Sequence, residues 1–369
     1  MATIRASSIN RRRWLLSTPV WYVYPIWHTV SFTIVAKNHL RELKKYFRIY
    51  EIDELAFPLR DVYCKPVVII HPYFFIVQRR PQLFFNKIPN FKAVIGIDVA
   101  DTDQIGKIAV QLCNLATAMI THSTFCKEVY VKSGVKVPVY VVPHGLDKIF
   151  YEPRKTPQHK HLQELYKLKQ KNKYIYILFF LWHSGERKGA DLVYKVVKEI
   201  SKMYSNVKLI IKVGIPMGYH YELLKSITKF IITDFLSQHD LVALYDMCDI
   251  YLLFSRGGGF ELNGLEALSR GEVVLAGAKG SWTDYLPDFL LIKKVHRVKF
   301  WAHTNPITDF HCGYGYEVDV EEAINKLKEV IENLVDYKAR VREYWNKVKH
   351  QWSWEAVGLK LKSIIEKYI

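Results

Sequence analysis

Short apolar segments alternate with longer amphipathic segments along most of this 369-residue chain, and this alternation limits the folds that the chain can adopt. Apolar runs of about four to eight residues are typical of buried strands, whereas apolar residues at a spacing of about 3.6 are typical of helices. Strands that alternate with helices pair in parallel and are covered on both faces. The pattern therefore predicts an α/β protein built from doubly wound parallel sheets.

The alternation forms two series, and a basic stretch lies between them. Seven lysine and arginine residues lie among polar neighbours at positions 154–173, which indicates a boundary region. We predict an N-terminal Rossmann-like domain at 1–153, a linker region at 154–173, and a C-terminal Rossmann-like domain at 174–369 that ends in helices. Because ligands bind at the carboxyl ends of parallel strands, two such sheets predict a central cleft between the domains.

The expected elements follow directly from the apolar spacing. Expected strands lie at 21–24, 66–70, 93–97, 118–121, 137–142, 174–181, 207–213, 230–233, 250–254 and 273–276. Expected helices lie at 34–46, 105–116, 123–133, 190–203, 221–228, 241–247 and 262–269, with a helical tail from 320 to 368.

Three consecutive glycines, Gly257–Gly259, precede the expected helix that begins near Leu262. Glycine lets the backbone approach a ligand closely, and the start of a helix presents N–H donors to an anion. Glu266 lies one turn into this helix, where its carboxylate can accept hydrogen bonds from ribose or sugar hydroxyls. The segment predicts a phosphate-binding site, and a glycine-rich turn with a solvated glutamate is the alternative interpretation.

A second candidate for phosphate binding follows the first strand of the second series. Arg187 and Lys188 lie between Gly185 and Gly189 at a predicted turn from strand to helix. Cations beside a helix N-terminus are suited to holding a diphosphate. The segment lacks the G-x-x-x-x-G-K-[ST] pattern of a P-loop, so an ATPase is disfavoured. The alternative is a solvated basic start of a helix.

In the first series, Asp98 and Asp101 follow the expected strand at 93–97. A carboxylate at the end of a parallel strand can orient or deprotonate an acceptor hydroxyl. The alternative is that these aspartates cap the next helix. The residue types alone allow both interpretations.

Three histidines, His28, His71 and His144, also lie near expected strand ends. Pro143 and Gly145 flank His144 and predict a rigid turn where the chain crosses between the domains. For all three histidines we expect a structural role in preference to a catalytic one.

The formal charge of +17 and the pI near 9.4 indicate an anionic partner. Nucleotides, nucleic acid and anionic membranes all qualify, but the sequence has no interleaved aromatic and basic motif, so nucleic acid is not expected. The five cysteines are scattered without C-x-x-C spacing. This distribution argues against a disulfide framework and a structural zinc site, and it predicts buried, apolar cysteines.

A basic leader contains Arg5 and Arg11–Arg13 and precedes the apolar residues Trp14–Leu16. It has the outline of a signal peptide but neither a clean apolar region nor a small-residue cleavage site. No apolar run reaches the roughly 18 residues of a membrane-spanning helix. We expect a cytoplasmic protein, and docking on the inner face of an anionic membrane through the basic segments is a second hypothesis.

Taken in order, several of these segments resemble those of GT-B-fold glycosyltransferases of family 4, a group that includes many retaining sugar transferases. The resemblance covers the chain from about residue 22 to residue 365. It is carried by Ile120–Phe125, Val141–Asp147, Arg187–Gly189, Leu244–Ile250 and Ser255–Ala267.

The resemblance implies an N-terminal acceptor domain and a C-terminal donor domain. It implies that Arg187 and Lys188 neutralise a nucleotide diphosphate leaving group and that Glu266 binds the donor ribose. The expected donor-binding residues are Ser184, Arg187, Lys188, Gly258, Gly259, Phe260, Glu261, Leu262 and Glu266, and the expected catalytic residues are Asp98, Asp101 and Glu266. The implied activity is transfer of a hexose from a UDP- or GDP-sugar to a hydroxyl of a carbohydrate, lipid or protein acceptor, with retention and without a cofactor or metal.

The chain departs from the family pattern at Gly258, where the first glutamate of the E-x7-E signature is expected. The nearest acid, Glu261, is three positions away. The family's first glutamate usually contacts the transferred sugar, so the departure leaves the sugar open. The segment Lys293–Gly315 has no counterpart in the resemblance and is expected to cover the cleft or to meet a partner.

Two other classes of protein fit the same architecture. The incomplete signature and the positive charge are compatible with a non-catalytic binder of sugar nucleotides or nucleic acid. An epimerase is also compatible, and it would release free sugar or an epimer without any acceptor. Product formation from nucleotide sugars separates these classes.

Overall fold

The computed structural model describes residues 18–28, 31–182, 184–299 and 305–369. The basic leader lies outside this part of the chain, as do residues 300–304 of the segment without a family counterpart. Two parallel sheets with flanking helices confirm the predicted α/β architecture with two Rossmann-like halves.

The first half of the described chain contains six strands and five α-helices. They are β1 (Val20–Tyr24), α1 (Ser31–Leu43), β2 (Ile49–Asp53), β3 (Val67–Ile70), α2 (Tyr73–Arg79), α3 (Pro81–Lys87), β4 (Ala93–Ile97), α4 (Lys107–Cys113), β5 (Ala118–Thr121), α5 (Thr124–Ser133) and β6 (Val139–Val141). The strands pair in parallel in the order β2-β1-β3-β4-β5-β6.

Burial explains which of these strands the sequence predicts. The inner strands β1, β3, β4 and β5 are buried at every position, so they are continuous apolar runs. Strand β2 lies at the edge, and of its five residues only Ile52 is buried. Its polar residues Glu51 and Asp53 leave it without an apolar run, and it is absent from the sequence prediction for that reason.

Helix α5 begins where the sequence predicts a capped helix. The side chain of Ser123 accepts a hydrogen bond from the backbone N–H of Cys126 at 3.2 Å, which satisfies one of the unpaired N–H groups of the first turn. The helix ends at Gly134, whose φ of 109° lies in the left-handed region that favours glycine.

The second half repeats the architecture. Its elements are α6 (Lys160–Asn172), β7 (Ile175–Leu181), α7 (Ala190–Met203), β8 (Val207–Val213), α8 (Tyr219–Lys225), β9 (Phe230–Ile232), α9 (Gln238–Met247), β10 (Ile250–Leu253), α10 (Leu262–Ser269), β11 (Val273–Gly277) and β12 (Leu291–Ile292). Within the described residues, the strands form a parallel sheet in the order β12-β11-β10-β7-β8-β9.

An antiparallel hairpin and three helices complete the described chain. They are β13 (Val295–Val298), β14 (Gly315–Val318), α11 (Val320–Glu332), α12 (Leu334–Val348) and α13 (Trp354–Ile365). The hairpin packs against the second sheet, because a Cβ atom placed on Gly277 of β11 would lie 3.1 Å from Val295 and 3.2 Å from Val318.

The last helix, α13, returns to the first half. Trp354, Val357 and Leu361 belong to the same buried cluster as Val20 and Val67 of the first sheet. The two helices α13 and α1 approach so closely that a Cβ atom on Gly358 would lie 2.5 Å from Cβ of Glu42. The apolar face of α13 thus completes the core of the N-terminal half.

A buried arginine fixes the crossing between the halves. The Arg270 guanidinium binds Asp246 through two nitrogens, with Nε and Nη2 each donating at 2.9 Å to a different carboxylate oxygen. Its Nη1 donates to the carbonyl oxygens of Phe150 and Glu152, both at 2.8 Å. The Arg270 and Asp246 side chains are 4% and 3% exposed. Arg270 therefore ties the chain that leaves the first half to the core of the second.

No helix among the residues that the structure describes combines the length and the apolar character needed to cross a membrane. Four of the five cysteines are buried, as expected, whereas Cys64 is exposed. The prediction of a buried apolar role is wrong for Cys64, which lies in a loop with φ of 63°.

Candidate active site

Three loops meet where the carboxyl ends of strands from both sheets face each other. The acid loop, Asp98–Asp103, follows β4 of the first sheet. The basic turn, Ser184–Gly189, follows β7, and the glycine loop, Ser255–Glu261, follows β10 of the second sheet. Parallel α/β sheets present their ligands at this edge, so the three loops define the candidate active site.

The basic turn and the glycine loop share a buried cluster of charges. Nζ of Lys188 donates to Oε2 of Glu261 at 2.5 Å, and Nη1 of Arg187 lies 3.5 Å from Oε1. Ser255 Oγ donates to the same Oε1 at 3.1 Å. The Arg187, Lys188 and Glu261 side chains are 11%, 21% and 5% exposed. The two cations predicted to bind phosphate therefore lie together, beside a carboxylate.

Asp101 approaches the same cluster from the first half. Its Oδ1 accepts a hydrogen bond from the backbone N–H of Gly259 at 3.0 Å. Burial acts to raise the pKa of Asp101, but His311, Arg187 and Lys188 outweigh it, and the net pKa lies below its ordinary value. A Cβ atom on Gly259 would lie 2.2 Å from Cβ of Val99, so the two halves are in contact here. The structure thus describes a closed cleft.

Asp98, the other predicted catalytic aspartate, lies inside the first half. Its carboxylate accepts hydrogen bonds from the backbone N–H groups of Phe74 at 2.7 Å and Val99 at 2.9 Å. Burial raises the pKa of Asp98 to about 7 despite these hydrogen bonds. The contact with Phe74 stabilises the start of α2. Of the two aspartates, Asp101 is the one that contacts the glycine loop.

Glu266 lies on α10, five residues after Glu261 of the charge cluster, and its side chain is partly exposed. Its Oε2 accepts a hydrogen bond from the Tyr245 hydroxyl at 2.7 Å, and Asn263 Nδ2 donates to that hydroxyl at 3.3 Å. Burial raises the pKa of Glu266 to about 7, although the hydrogen bond from Tyr245 acts in the opposite direction. The sequence predicts Glu266. Tyr245, on α9, lies in the stretch Leu244–Ile250 that carries the family resemblance, but the sequence predicts no role for it.

The remaining predicted donor residues differ in their surroundings. The Phe260 ring packs against His144, with ring centroids 4.8 Å apart, and against Tyr285 at 5.5 Å. Leu262 begins α10 and packs against the core of the second half. Ser184 opens the basic turn with φ of 57° in the left-handed region. Phe260 and Leu262 therefore position the glycine loop by apolar packing.

The segment without a family counterpart bridges the two halves. Its described part, residues 305–314, which we call the bridging segment, runs along the first half and caps α4. The carbonyl oxygens of Phe310, Pro306 and Ile307 accept hydrogen bonds from the first backbone N–H groups of α4 at 3.2, 2.9 and 3.1 Å. The N-cap of α4 has no side-chain cap, so the idea that Asp98 or Asp101 caps this helix is wrong.

The bridging segment also carries His311 into the active site. Nδ1 of His311 accepts a hydrogen bond from the backbone N–H of Asp101 at 3.3 Å. Burial lowers the pKa of His311, the Asp101 carboxylate acts to raise it, and Arg187 acts to lower it further. The sequence analysis expects this segment to cover the cleft or to meet a partner, but it does not single out His311 among the residues of the segment.

A buried cluster of histidines lies in the first half and contains His71 and His122, which follow β3 and β5, and His39 of α1. His71 and His39 both contact the hydroxyl of Tyr22 through Nδ1, at 3.3 and 2.8 Å. His122 contacts the carbonyl oxygen of Val142 through Nδ1 at 2.9 Å, and so this nitrogen carries the proton. Nε2 of each of these three histidines has no hydrogen-bond partner among the described residues.

The structural role expected for the histidines at 71 and 144 agrees with this packing. The ring of His144 lies 4.1 Å from that of His122, measured between centroids. By contrast, His28 is largely exposed and lies 3.1 Å from Glu54. All of these imidazoles lie outside the charge cluster formed by the basic turn and the glycine loop.

Acid is expected to destabilise the protein through these buried histidines. Burial lowers the pKa of His39 to about 3 and that of His122 to about 4, below the value near 6.5 of an unfolded histidine. Their stabilising contribution is complete above about pH 6.5 and is lost as the pH falls towards the folded values. The free energy of unfolding should drop by about 1.4 kcal/mol per pH unit for each histidine over that range.

Urea unfolding at pH 7, 5.5 and 4.5 tests this expectation. The H122N variant keeps a donor for the carbonyl oxygen of Val142 but cannot titrate, so its stability should fall less steeply with acid than that of the wild type. H350N, at an exposed position, is the matched control. Parallel pH dependences for wild type and H122N would contradict the assignment.

Within the part of the chain that the structure describes, no group of three or more histidine, cysteine, aspartate or glutamate side chains is arranged to hold a metal ion. The positive charges that the basic turn offers to an anionic ligand in this site are those of Arg187 and Lys188.

Comparison with known proteins identifies the family. A family model described as glycosyl transferases, group 1, matches residues 163–299, which contain the basic turn, the glycine loop and α10. The chain belongs to the group 1 glycosyltransferases.

Two viral proteins are similar to this glycosyltransferase over most of its length. Protein 356 of Sulfolobus islandicus rod-shaped virus 1 is 34% identical over 358 residues, which cover 95% of this chain and 98% of the relative. A protein of Sulfolobus islandicus filamentous virus, provisionally named glycosyltransferase 45, is 28% identical over 302 residues, covering 75% of this chain and 77% of the relative.

Solved structures share the GT-B fold with this glycosyltransferase. Anabaena HepE, in complex with UDP-glucose, has a TM-score of 0.67 at 12% identity and covers 95% of this chain and 100% of its own. Sucrose-phosphate synthase from Thermosynechococcus elongatus has a TM-score of 0.66 at 11% identity and covers 95% and 99%. These likenesses confirm the predicted fold class.

Proposed function

We propose that this glycosyltransferase transfers a hexose from a nucleotide-diphosphate sugar to a hydroxyl acceptor and retains the anomeric configuration. One observation carries the proposal: Arg187 and Lys188 lie together at the start of α7, and Asp101 of the other half approaches them across the cleft. Expelling a nucleotide diphosphate needs positive charge at the leaving group, and a cleft between two halves can hold donor and acceptor side by side.

The donor is expected to bind in the second half. Its diphosphate would contact Arg187, Lys188 and the N–H groups of the glycine loop. A pocket of about 150 Å³ lies next to the basic turn and offers an aromatic surface to a nucleobase; it is lined by residues that include Trp182, Ser184, Gly185, Met217, Tyr219 and His220. The Glu266 carboxylate is an acceptor for the ribose hydroxyls.

The acceptor is expected to bind on the side of the first half. The pKa of Asp101 is lowered, so its carboxylate stays ionised and is a weak base. We assign it the role of orienting the acceptor hydroxyl, and the departing phosphate oxygen takes the proton. Because Gly259 and Val99 are in contact in the closed cleft, the halves must separate before the donor can enter.

Incubation with radiolabelled UDP-, GDP- and ADP-sugars and a panel of carbohydrate, lipid and protein acceptors tests the proposal. Transfer to an acceptor supports it, whereas tight binding without any product supports a non-catalytic binder. Free sugar or an epimer, formed without acceptor, indicates an epimerase. The anomeric configuration of the product, read by NMR, decides between retention and inversion.

Replacing Glu266 with glutamine is expected to weaken the binding of free nucleoside diphosphates by about 10-fold to 100-fold. The reason is that, well above the pKa of about 7 of Glu266, its carboxylate is a charged acceptor that contributes about 1.5–3 kcal/mol, and the ribose is present whether or not a sugar is attached. Calorimetry with UDP and GDP measures the effect. E222Q, an exposed glutamate on α8, is the control. Equal affinities for E266Q and wild type would exclude Glu266 from the donor site.

A further inference from the structure

The side chain of Glu261 occupies the space beside Gly258. A Cβ atom on Gly258 would lie 2.4 Å from Oε1 of Glu261 and 3.2 Å from its carboxyl carbon. The two positions therefore compete for one volume, and a side chain at 258 cannot coexist with Glu261 as it is placed. The next neighbour of that Cβ atom is Nη1 of Arg187 at 3.3 Å.

The backbone of Glu261 is anchored, and its side chain is buried against the basic turn. The Tyr285 hydroxyl donates to the carbonyl oxygen of Glu261 at 2.7 Å. Glu261 is the N-cap residue of α10, but its side chain makes no capping hydrogen bond. An acid at this position would ordinarily interact with the start of its helix. Instead the carboxylate accepts hydrogen bonds from Lys188 and Ser255.

The chemistry of a carboxylate decides what it can bind there. An ionised carboxylate accepts hydrogen bonds but donates none, so it suits sugar hydroxyls and repels phosphate. In a nucleotide sugar, the sugar is bonded directly to the phosphate that would contact Arg187 and Lys188. The Glu261 carboxylate contacts the same two cations, so it lies within reach of the sugar ring.

We propose that Glu261 binds the hydroxyls of the transferred sugar and takes the place of an acidic side chain at position 258. This inference rests on the proposed function and names the residue that hydrogen-bonds to the transferred sugar. When the diphosphate takes over Arg187 and Lys188, the Glu261 carboxylate exchanges its cationic partners for hydroxyl donors. The acid of the glycine loop is displaced by three positions along the sequence, and its carboxylate lies directly beside position 258.

Calorimetry on two variants of the full chain tests this. The quantity compared is the Kd of a nucleoside diphosphate divided by the Kd of its sugar conjugate, measured with UDP and UDP-glucose and with GDP and GDP-mannose. In E261Q, this ratio should fall by about tenfold or more, because hydrogen bonds to a charged acceptor are lost only by the sugar conjugate. Binding of UDP or GDP alone should be unchanged or tighter, because the two cations lose a competing carboxylate.

The second variant moves the carboxylate back by three positions. G258E/E261G should restore the ratio to within about threefold of the wild type. The exchange is sterically possible, because removing the Glu261 side chain frees the volume beside position 258 and the φ of Gly258 lies outside the left-handed region. If this variant does not fold, E261Q alone decides.

The possible results distinguish a failure of the proposed function from a failure of the role assigned to Glu261. A wild type that binds none of these nucleotides or nucleotide sugars overturns the proposed function. A wild type that binds a nucleotide sugar, together with an unchanged ratio in E261Q, overturns the role of Glu261 alone. E222Q serves again as the charge-matched control and should leave both affinities unchanged.

Discussion

Simultaneous replacement of Arg187 and Lys188 with alanine is expected to weaken nucleoside diphosphate binding by about 100-fold to 10,000-fold and to abolish sugar transfer. Each cation makes charge-assisted contacts that contribute about 1.5–3 kcal/mol, and both face the same anion. Their loss also leaves the carboxylates of Glu261, which is buried, and Asp101, which is partly buried, as the dominant charges of the cleft. An anionic donor would then be repelled.

Titration calorimetry with UDP and GDP measures this loss. K195A is a matched control, because Lys195 lies on the exposed face of α7, only a few residues from the basic turn. Thermal unfolding of the double variant checks that the site is intact apart from the missing cations. Unchanged affinity in a folded double variant would show that the basic turn does not form the donor site.

The largest effect on stability is expected from replacing Arg270 with alanine. Breaking a buried ion pair by removing one partner costs about 3–5 kcal/mol, because the remaining charge is left buried. Here the Asp246 carboxylate would keep a hydrogen bond from the backbone N–H of Lys155 at 2.7 Å but lose both contacts from the guanidinium. The carbonyl oxygens of Phe150 and Glu152 would lose their donors as well.

Urea unfolding of R270A, R342A and the double variant R270M/D246L measures how much free energy of unfolding is lost with these contacts. R342A removes an exposed arginine from α12 and should change the free energy of unfolding by less than about 0.5 kcal/mol. R270M/D246L removes both charges and should recover part of the loss, since a buried pair can be replaced by apolar groups at small cost. A midpoint for R270A equal to that of R342A would show that Arg270 does not fix the crossing.

The sequence predicts the inner strands well, because strands buried on both faces are continuous apolar runs. Helices α2 and α3 are absent from the prediction. Each has only seven residues, and Pro81 separates them, so neither offers the several turns over which an apolar period can be recognised. The periodicity of the last helices shows which face is apolar, but it does not show that α13 packs on the first sheet.

The second-half side of the candidate site could be located from the sequence because each part lies in one continuous stretch of strand, turn and helix. The basic turn and the glycine loop are local features, and their meeting follows from the order of parallel strands. The first-half side of the candidate site could not be located in this way. Asp98 and Asp101 are three residues apart, and only the path of the acid loop turns one inward and the other to the cleft.

His311 illustrates a different difficulty. It reaches Asp101 from a segment about 210 positions further along the chain. No local pattern encodes a contact over that distance, because it depends on carbonyl groups of the bridging segment satisfying the first turn of α4.

The return of α13 to the first sheet affects the order in which the two halves can fold during translation. Domains usually fold as they are synthesised, N-terminal part first. In this chain, Val20 and Val67 share a buried cluster with Trp354, Val357 and Leu361. Helix α1 covers part of the apolar face around β1 and β3, and the rest of this face stays uncovered until the last helix has left the ribosome. The second half can reach its native packing before the first, although it is made later.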